Sequence, residues 1–128
     1  MAASTTNEIL FVAFGGAAGC LCRYAAEHIR MFSDQNFNTV AINITGCLLI
    51  GILWVVLNRL FSEPALISRL IITGVLGGFT TFSAFSLHPV LMIRDGAYFT
   101  ALIYVSVSVI GGLAACFGGM WLTEHLIE

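Results

Sequence analysis

Lysine is absent from this chain, and acidic and basic residues together make up only 9% of its 128 residues. A soluble domain carries about 25% charged residues, because a surface facing water must be polar. Five arginines and seven carboxylates cannot coat a water-soluble fold of this size. The formal net charge of −2 excludes a basic face for nucleic acid, whose phosphates demand clustered cations. Enzyme chemistry is equally short of parts. The three histidines, His28, His88 and His125, fall near the ends of the expected helices, and no Ser-His-Asp or metal set can be assembled from them. The cysteines Cys20, Cys22, Cys47 and Cys116 form no CxxC pair, so they are expected to pack as small polarisable side chains rather than to bind metal.

What is present is apolar: hydrophobic residues make up 59% of the chain and the mean hydropathy is +0.96. Residues 35–58, 70–93 and 96–123 contain no charged side chain. Each run exceeds the roughly 20 residues that cross a bilayer core as a helix. The first apolar run, Ile9–Leu21, is shorter and spans only if the helix continues past Arg23 through Tyr24-Ala25-Ala26, with the arginine snorkelling or in a polar vestibule. A signal peptide is excluded for this run because Met1–Asn7 has no basic residue and three further spans follow. The expectation is one membrane domain over residues 1–128, with transmembrane helices at about Glu8–Met31, Phe37–Leu60, Ala65–Met92 and Tyr98–Glu124. Short connections at Phe32–Asn36, Phe61–Pro64 and Ile93–Ala97, the last with an Asp95-Gly96 turn, join them. Arg59 and Arg69 fall on one side, against Arg30, Arg94 and, depending on its depth, Arg23 on the other. Loop arginines orient membrane proteins, so this near balance is either a chance equality of a few charges or the mark of a chain that inserts both ways up, and the second reading is the one favoured. Four helices enclose little on their own, so a homo-oligomer is expected. Gly15-Gly16-Ala17-Ala18-Gly19 and Gly74-Val75-Leu76-Gly77-Gly78 supply the small residues that let membrane helices approach.

The third span is the most informative. In Thr73–Ser86 the adjacent Gly77 and Gly78 weaken the helix, and Thr80, Thr81, Ser83 and Ser86 follow. A break there frees backbone carbonyls, which are tolerated at membrane depth only under protein or beside a polar cavity and form a natural cation site. The plainer reading is a glycine kink with hydroxyls bonded to the preceding turn; the cluster of hydroxyls favours a functional break. Phe82 and Phe85 are three apart and share a helix face. Their positive ring edges can line an anion path, although packing is the common fate of such a pair. Asn43 in the second span is too costly to face lipid unpaired. It serves either as glue between helices or as a donor to an anion. Tyr104 and Ser108 are four apart in the last span, with Gly112 next on the stripe, and fit a hydroxyl track or interfacial packing equally.

The run Gly77-Gly78-Phe79-Thr80-Thr81-Phe82-Ser83-Ala84-Phe85-Ser86 resembles the GG-x-TTFSTFS pattern of the Fluc (CrcB-type) fluoride channels. Gly15-Gly16 through Gly19 to Arg23, and Asn43 with Gly46 and Gly51, resemble the first- and second-span patterns of that family, so the likeness covers nearly the whole chain. The resemblance implies a fluoride-selective channel in the cell inner membrane: an antiparallel, dual-topology homodimer of four-helix subunits with two pores. It implies that Asn43, Phe82 and Phe85 line the fluoride path together with Thr81 and Ser83, that Tyr104 and Ser108 form the hydroxyl track, and that Thr39 and Arg23 belong to the same set. It implies that the backbone carbonyls of Gly77 and Thr80 hold a structural Na⁺ at the dimer centre. His88 stands where the family commonly has Glu, so it is a candidate pore residue of different chemistry. Gly112 stands where the family track can continue with Ser, and Ala84 replaces a common Thr.

Fluoride holds its water tightly, so a pore must offer replacement donors while remaining weak enough to release the ion. Neutral amides, hydroxyls and ring edges meet both demands. A small multidrug-type transporter, also a four-helix dual-topology dimer, needs a carboxylate in the middle of the first span, where this chain has only Glu8 and Glu27 near the ends. A non-transporting assembly subunit has no use for the Asn43, Thr80-Thr81 and Phe82/Phe85 constellation.

Overall fold

The computed structural model describes residues 5–29, 32, 35–61 and 65–127, and these form an all-helical bundle. Helix α1 is Thr5–His28 and α2 is Gln35–Leu60. The third span opens with α3, Ala65–Ser68, widens into a π-helical stretch, Arg69–Leu76, and tightens again as α4, Gly77–Phe79. It breaks at Thr80 and Thr81 and resumes as α5, Phe82–Arg94. Helix α6, Tyr98–Leu126, completes the bundle. Four stretches are long and apolar enough to cross a membrane: Thr5–His28, Asn36–Leu60, Leu66–Arg94 and Tyr98–Leu126. Arg30, Asp34 and most of the Phe61–Pro64 connection, which entered the orientation and connection readings, lie outside the described residues.

Packing divides the bundle in a way that explains the break. Helix α2 packs along α6, and α1 packs along the π-helical stretch and α4. Beyond the break, α5 leaves α1 and packs on α6. The third span thus changes partners midway, which a straight rod cannot do.

Glycine makes the first of these contacts possible. A Cβ on Gly15 would run into the Leu70 carbonyl, and one on Gly19 into the Val75 carbonyl. A Cβ on Gly74 would lie 2.9 Å from Gly15 Cα, and one on Gly78 would lie 2.5 Å from the Gly16 carbonyl oxygen. Backbone here meets backbone, the close approach that small-xxx-small spacing allows in lipid. Gly77 donates its N–H to the Ile72 carbonyl, five residues back, which is the π-helical bond.

The α5–α6 connection follows the expected Asp95-Gly96 turn. Gly96 adopts φ +79°, Gly96 N–H donates to Ile93 O at 3.0 Å, and Ala97 N–H to Met92 O at 2.8 Å. At the other end of the second span, Asn38 accepts from Phe32 N–H at 2.9 Å and donates to Phe32 O at 3.4 Å, pinning the chain as it enters α2. Among the described residues, every buried side-chain nitrogen or oxygen has a hydrogen-bond partner.

Candidate channel site

The break sits two residues beyond the glycine pair. Gly77 keeps helical angles of φ −62° and ψ −35°, while Thr80 (φ −87°, ψ 159°) and Thr81 (φ −145°, ψ 117°) are extended. Glycine does not force the break; hydrogen bonds that compete with the helix hold it. Asn43 Nδ2 donates to Thr81 O at 3.1 Å, and Thr81 N–H donates to Asn43 Oδ1 at 2.8 Å. One carboxamide on α2 therefore satisfies both backbone groups of an extended residue in the third span. Gly46, one turn along α2, leaves room for Thr80, because a Cβ there would collide with Thr80 Cγ2.

Thr81 then starts the next helix. Its Oγ1 accepts from Ala84 N–H at 3.3 Å and lies 3.1 Å from Ser83 Oγ, an N-cap for α5. Thr81→Val is expected to lower stability by about 1 kcal/mol and Thr81→Ser to restore it, as read by thermal unfolding in detergent. Equal stability of the two variants would show that the cap contributes nothing.

The break also redirects carbonyls. In an unbroken helix Gly77 O would accept from Thr81 N–H, which goes to Asn43 instead; Thr80 O would accept from Ala84 N–H, which goes to Thr81 Oγ1. These two oxygens therefore lose their helical partners.

A cavity of about 340 Å³ lies beside the break. Asn43, Thr81, Phe82, Phe85 and Ser108 line it, along with Gly77 and Thr80. Five residues expected to line the path are thus brought together with both expected cation-site residues. The rest of the wall includes Cys47, expected from the sequence only to pack, and Ile50, Ile72, Leu76 and Val109, which the sequence does not single out because apolar residues abound in every span.

The other candidates are placed around this cavity without lining it. Phe82 and Phe85 have ring centroids 5.3 Å apart, and Phe85 stacks on Tyr104 at 6.1 Å. Tyr104 is fully buried, and its Oη lies 3.2 Å from His88 Nδ1. The aromatic face thus continues from the cavity along α5 to His88. Ser108 Oγ donates to Tyr104 O at 2.7 Å, so this hydroxyl is bonded to its own helix. Thr39 is buried one turn before Asn43, and Ser83 is exposed on α5. Arg23 stands apart, on α1, with Nε 3.2 Å from Gly78 O. The carboxylates of the first span lie near its ends, Glu8 Oε2 3.6 Å from Arg69 Nε and Glu27 Oε1 3.7 Å from Arg23 Nη1.

Comparison with known proteins places this chain in a family. The family model described as CrcB-like protein, Camphor Resistance (CrcB), matches residues 10–120. A protein of Azotobacter vinelandii named fluoride-specific ion channel FluC is 42% identical over 118 residues, covering 90% of this chain and 95% of that protein. A Caulobacter protein of the same name is 41% identical over 127 residues, covering 95% of this chain and 98% of its own length. A third, from Pseudomonas fluorescens, is 42% identical over 119 residues, covering 91% and 96%. With its four apolar spans and interrupted third helix, the chain is a multi-pass membrane protein and belongs to the CrcB-like family.

Proposed function

We propose that this protein is a fluoride channel that lets F⁻ leave the cytoplasm passively across the cell membrane, in bacteria the inner membrane. It is not an enzyme. The observation that carries this reading is the cavity at the broken third span, where neutral donors and aromatic edges converge and, among the described residues, no charged side chain lines the wall.

The chemistry follows from that wall. Asn43 Nδ2 spends one hydrogen on Thr81 O and keeps a second to offer an anion. The Thr81 hydroxyl and the edges of Phe82 and Phe85 add weak positive contacts, and the exposed Ser83 hydroxyl, 3.1 Å from Thr81 Oγ1, extends them beside the cavity. Such donors replace water without trapping the ion, as conduction requires. HF crosses membranes as a neutral acid and dissociates in neutral cytoplasm, so a passive path for F⁻ removes it without fuel.

The working unit in this reading is an antiparallel homodimer inserted in both orientations. Phe82 is 78% exposed on the single chain, next to the exposed Ser83 and Ser86. Lipid is a poor neighbour for hydroxyls, whereas a second copy supplies the missing wall. A structural Na⁺ between the subunits fits the redirected carbonyls of Gly77 and Thr80, which are hard oxygen donors without a competing charge. Ser108 lines the same cavity, Thr39, Tyr104 and His88 then border the path, and Arg23 lies off it.

Purified protein in liposomes loaded with fluoride tests the function: efflux followed by a fluoride electrode is expected, with chloride retained. Vesicles that hold fluoride as tightly as protein-free ones would refute it. Phe82→Ile is expected to slow efflux by about 2–10-fold, the rate equivalent of an aromatic contact worth about 0.5–1.5 kcal/mol, with the assembly intact by size-exclusion chromatography. An unchanged rate would remove the ring edge from the path.

A further inference from the structure

The third span must hold a break between two packing partners, and Asn43 secures only its far side, at Thr81. The near side is Gly78. In a continuous helix Gly78 O would accept from Phe82 N–H, but Phe82 opens α5 beyond the extended step. Arg23 Nε supplies a donor to that oxygen, at 3.2 Å and across 55 residues of sequence. Arg23 reaches it because α1 and α4 touch at Gly78, where a Cβ would lie 2.5 Å from Gly16 O and 3.1 Å from Cys20 N. The other guanidinium nitrogens point back along α1, Nη1 at 3.7 Å from Glu27 Oε1 and Nη2 at 4.0 Å from Cys20 Sγ. The guanidinium does not line the cavity.

We propose that Arg23 is a positioning residue: its Nε–H bond to Gly78 O anchors the end of α4 on α1 and so fixes the extended Thr80-Thr81 step, and conduction uses that bond rather than the arginine charge. Asn43 from α2 and Arg23 from α1 then grip the break on opposite sides. This rests on the channel reading above.

Glutamine separates bond from charge. Its Nε2 stands the same number of bonds from Cα as arginine Nε, so Arg23→Gln keeps a donor at the right depth and removes the charge. Arg23→Met keeps the length and apolar stem and has no donor. Fluoride efflux from liposomes is expected within about twofold of native for Arg23→Gln and at least about tenfold lower for Arg23→Met, the loss of a bond from a charged donor at a partly buried site. Efflux as slow in Arg23→Gln as in Arg23→Met would show that the charge matters and overturn the proposal. Native efflux in Arg23→Met would overturn it as well. If Arg23→Met does not survive purification, Arg23→Gln decides alone, since native flux excludes a charge role and lost flux excludes the bond. Should the native protein carry no fluoride, the channel reading fails by itself; thermal unfolding then still tests the anchor, with Arg23→Gln expected at the native midpoint and the midpoint of Arg23→Met lowered. Equal midpoints for both variants would refute it.

Discussion

Asn43→Asp is expected to cut fluoride efflux by at least about 100-fold while the protein still assembles. The carboxylate keeps one native bond, because Thr81 N–H can still donate to it as it does to Asn43 Oδ1 at 2.8 Å. It loses the other: Asn43 Nδ2 donates to Thr81 O at 3.1 Å, and Asp has no hydrogen to give. The donor offered to the anion disappears as well, and a negative charge takes its place on the cavity wall. Two like charges about 4 Å apart repel by roughly 4 kcal/mol at an effective dielectric of about 20, more than enough for two decades of rate. Asn43→Ala separates the two roles of the side chain. It introduces no charge but strands both backbone groups of Thr81, a cost of about 1–3 kcal/mol for each buried unsatisfied group. Its main signature is therefore a lower unfolding midpoint. Native efflux in Asn43→Asp, measured on liposomes with matched protein content, would take Asn43 out of the conduction path and leave it as a brace.

How far the sequence reaches is clearest at this site. Charge-free runs locate three of the membrane helices because the bilayer penalises charge strongly and locally, and the first is legible as a shorter apolar run that continues past Arg23. The existence of a break in the third span is legible too, from glycines and hydroxyls in one run. Its position is not. Gly77 and Gly78 read as the weak point, yet both remain helical: Gly78 serves as contact surface for α1, and Gly77 lines the cavity. The backbone opens at Thr80 and Thr81, held by a carboxamide 38 residues earlier in the chain. That choice is made by tertiary bonds, which no local pattern encodes. The π-helical stretch Arg69–Leu76 is invisible for the same reason: its composition is ordinary, and its widened turns belong to the backbone packed against Gly15 and Gly19. Arg23 shows the limit of motif reading. The family pattern assigns it to the pore set, and the structure places its donor on a carbonyl released by the break. The partner exchange of the third span, from α1 to α6, likewise has no sequence mark.

Gly19→Ala is expected to abolish recovery of folded protein, whereas Gly16→Ala leaves yield and efflux unchanged. The two glycines lie three residues apart on α1, and an identical methyl group is added at each. At Gly16 the new Cβ meets nothing within 4 Å. At Gly19 it overlaps the Val75 carbonyl and approaches Phe79 N at 2.9 Å. These obstacles are backbone atoms of the π-helical stretch and α4, so no rotamer change can clear them. Relief requires α1 to draw away from the third span, and every contact along that face loosens together. Overpacking in a core typically costs about 1–3 kcal/mol when side chains can adjust; here they cannot, and the cost rises with each contact given up. Withdrawal of α1 also carries Arg23 away from Gly78 O, so the break loses its near anchor in the same movement. Side-by-side purification of the two variants reads the difference directly, by yield and by the size-exclusion profile. A Gly19→Ala protein that elutes and conducts like the native one would mean that the helices sit further apart than backbone contact at Gly19 and Val75 requires.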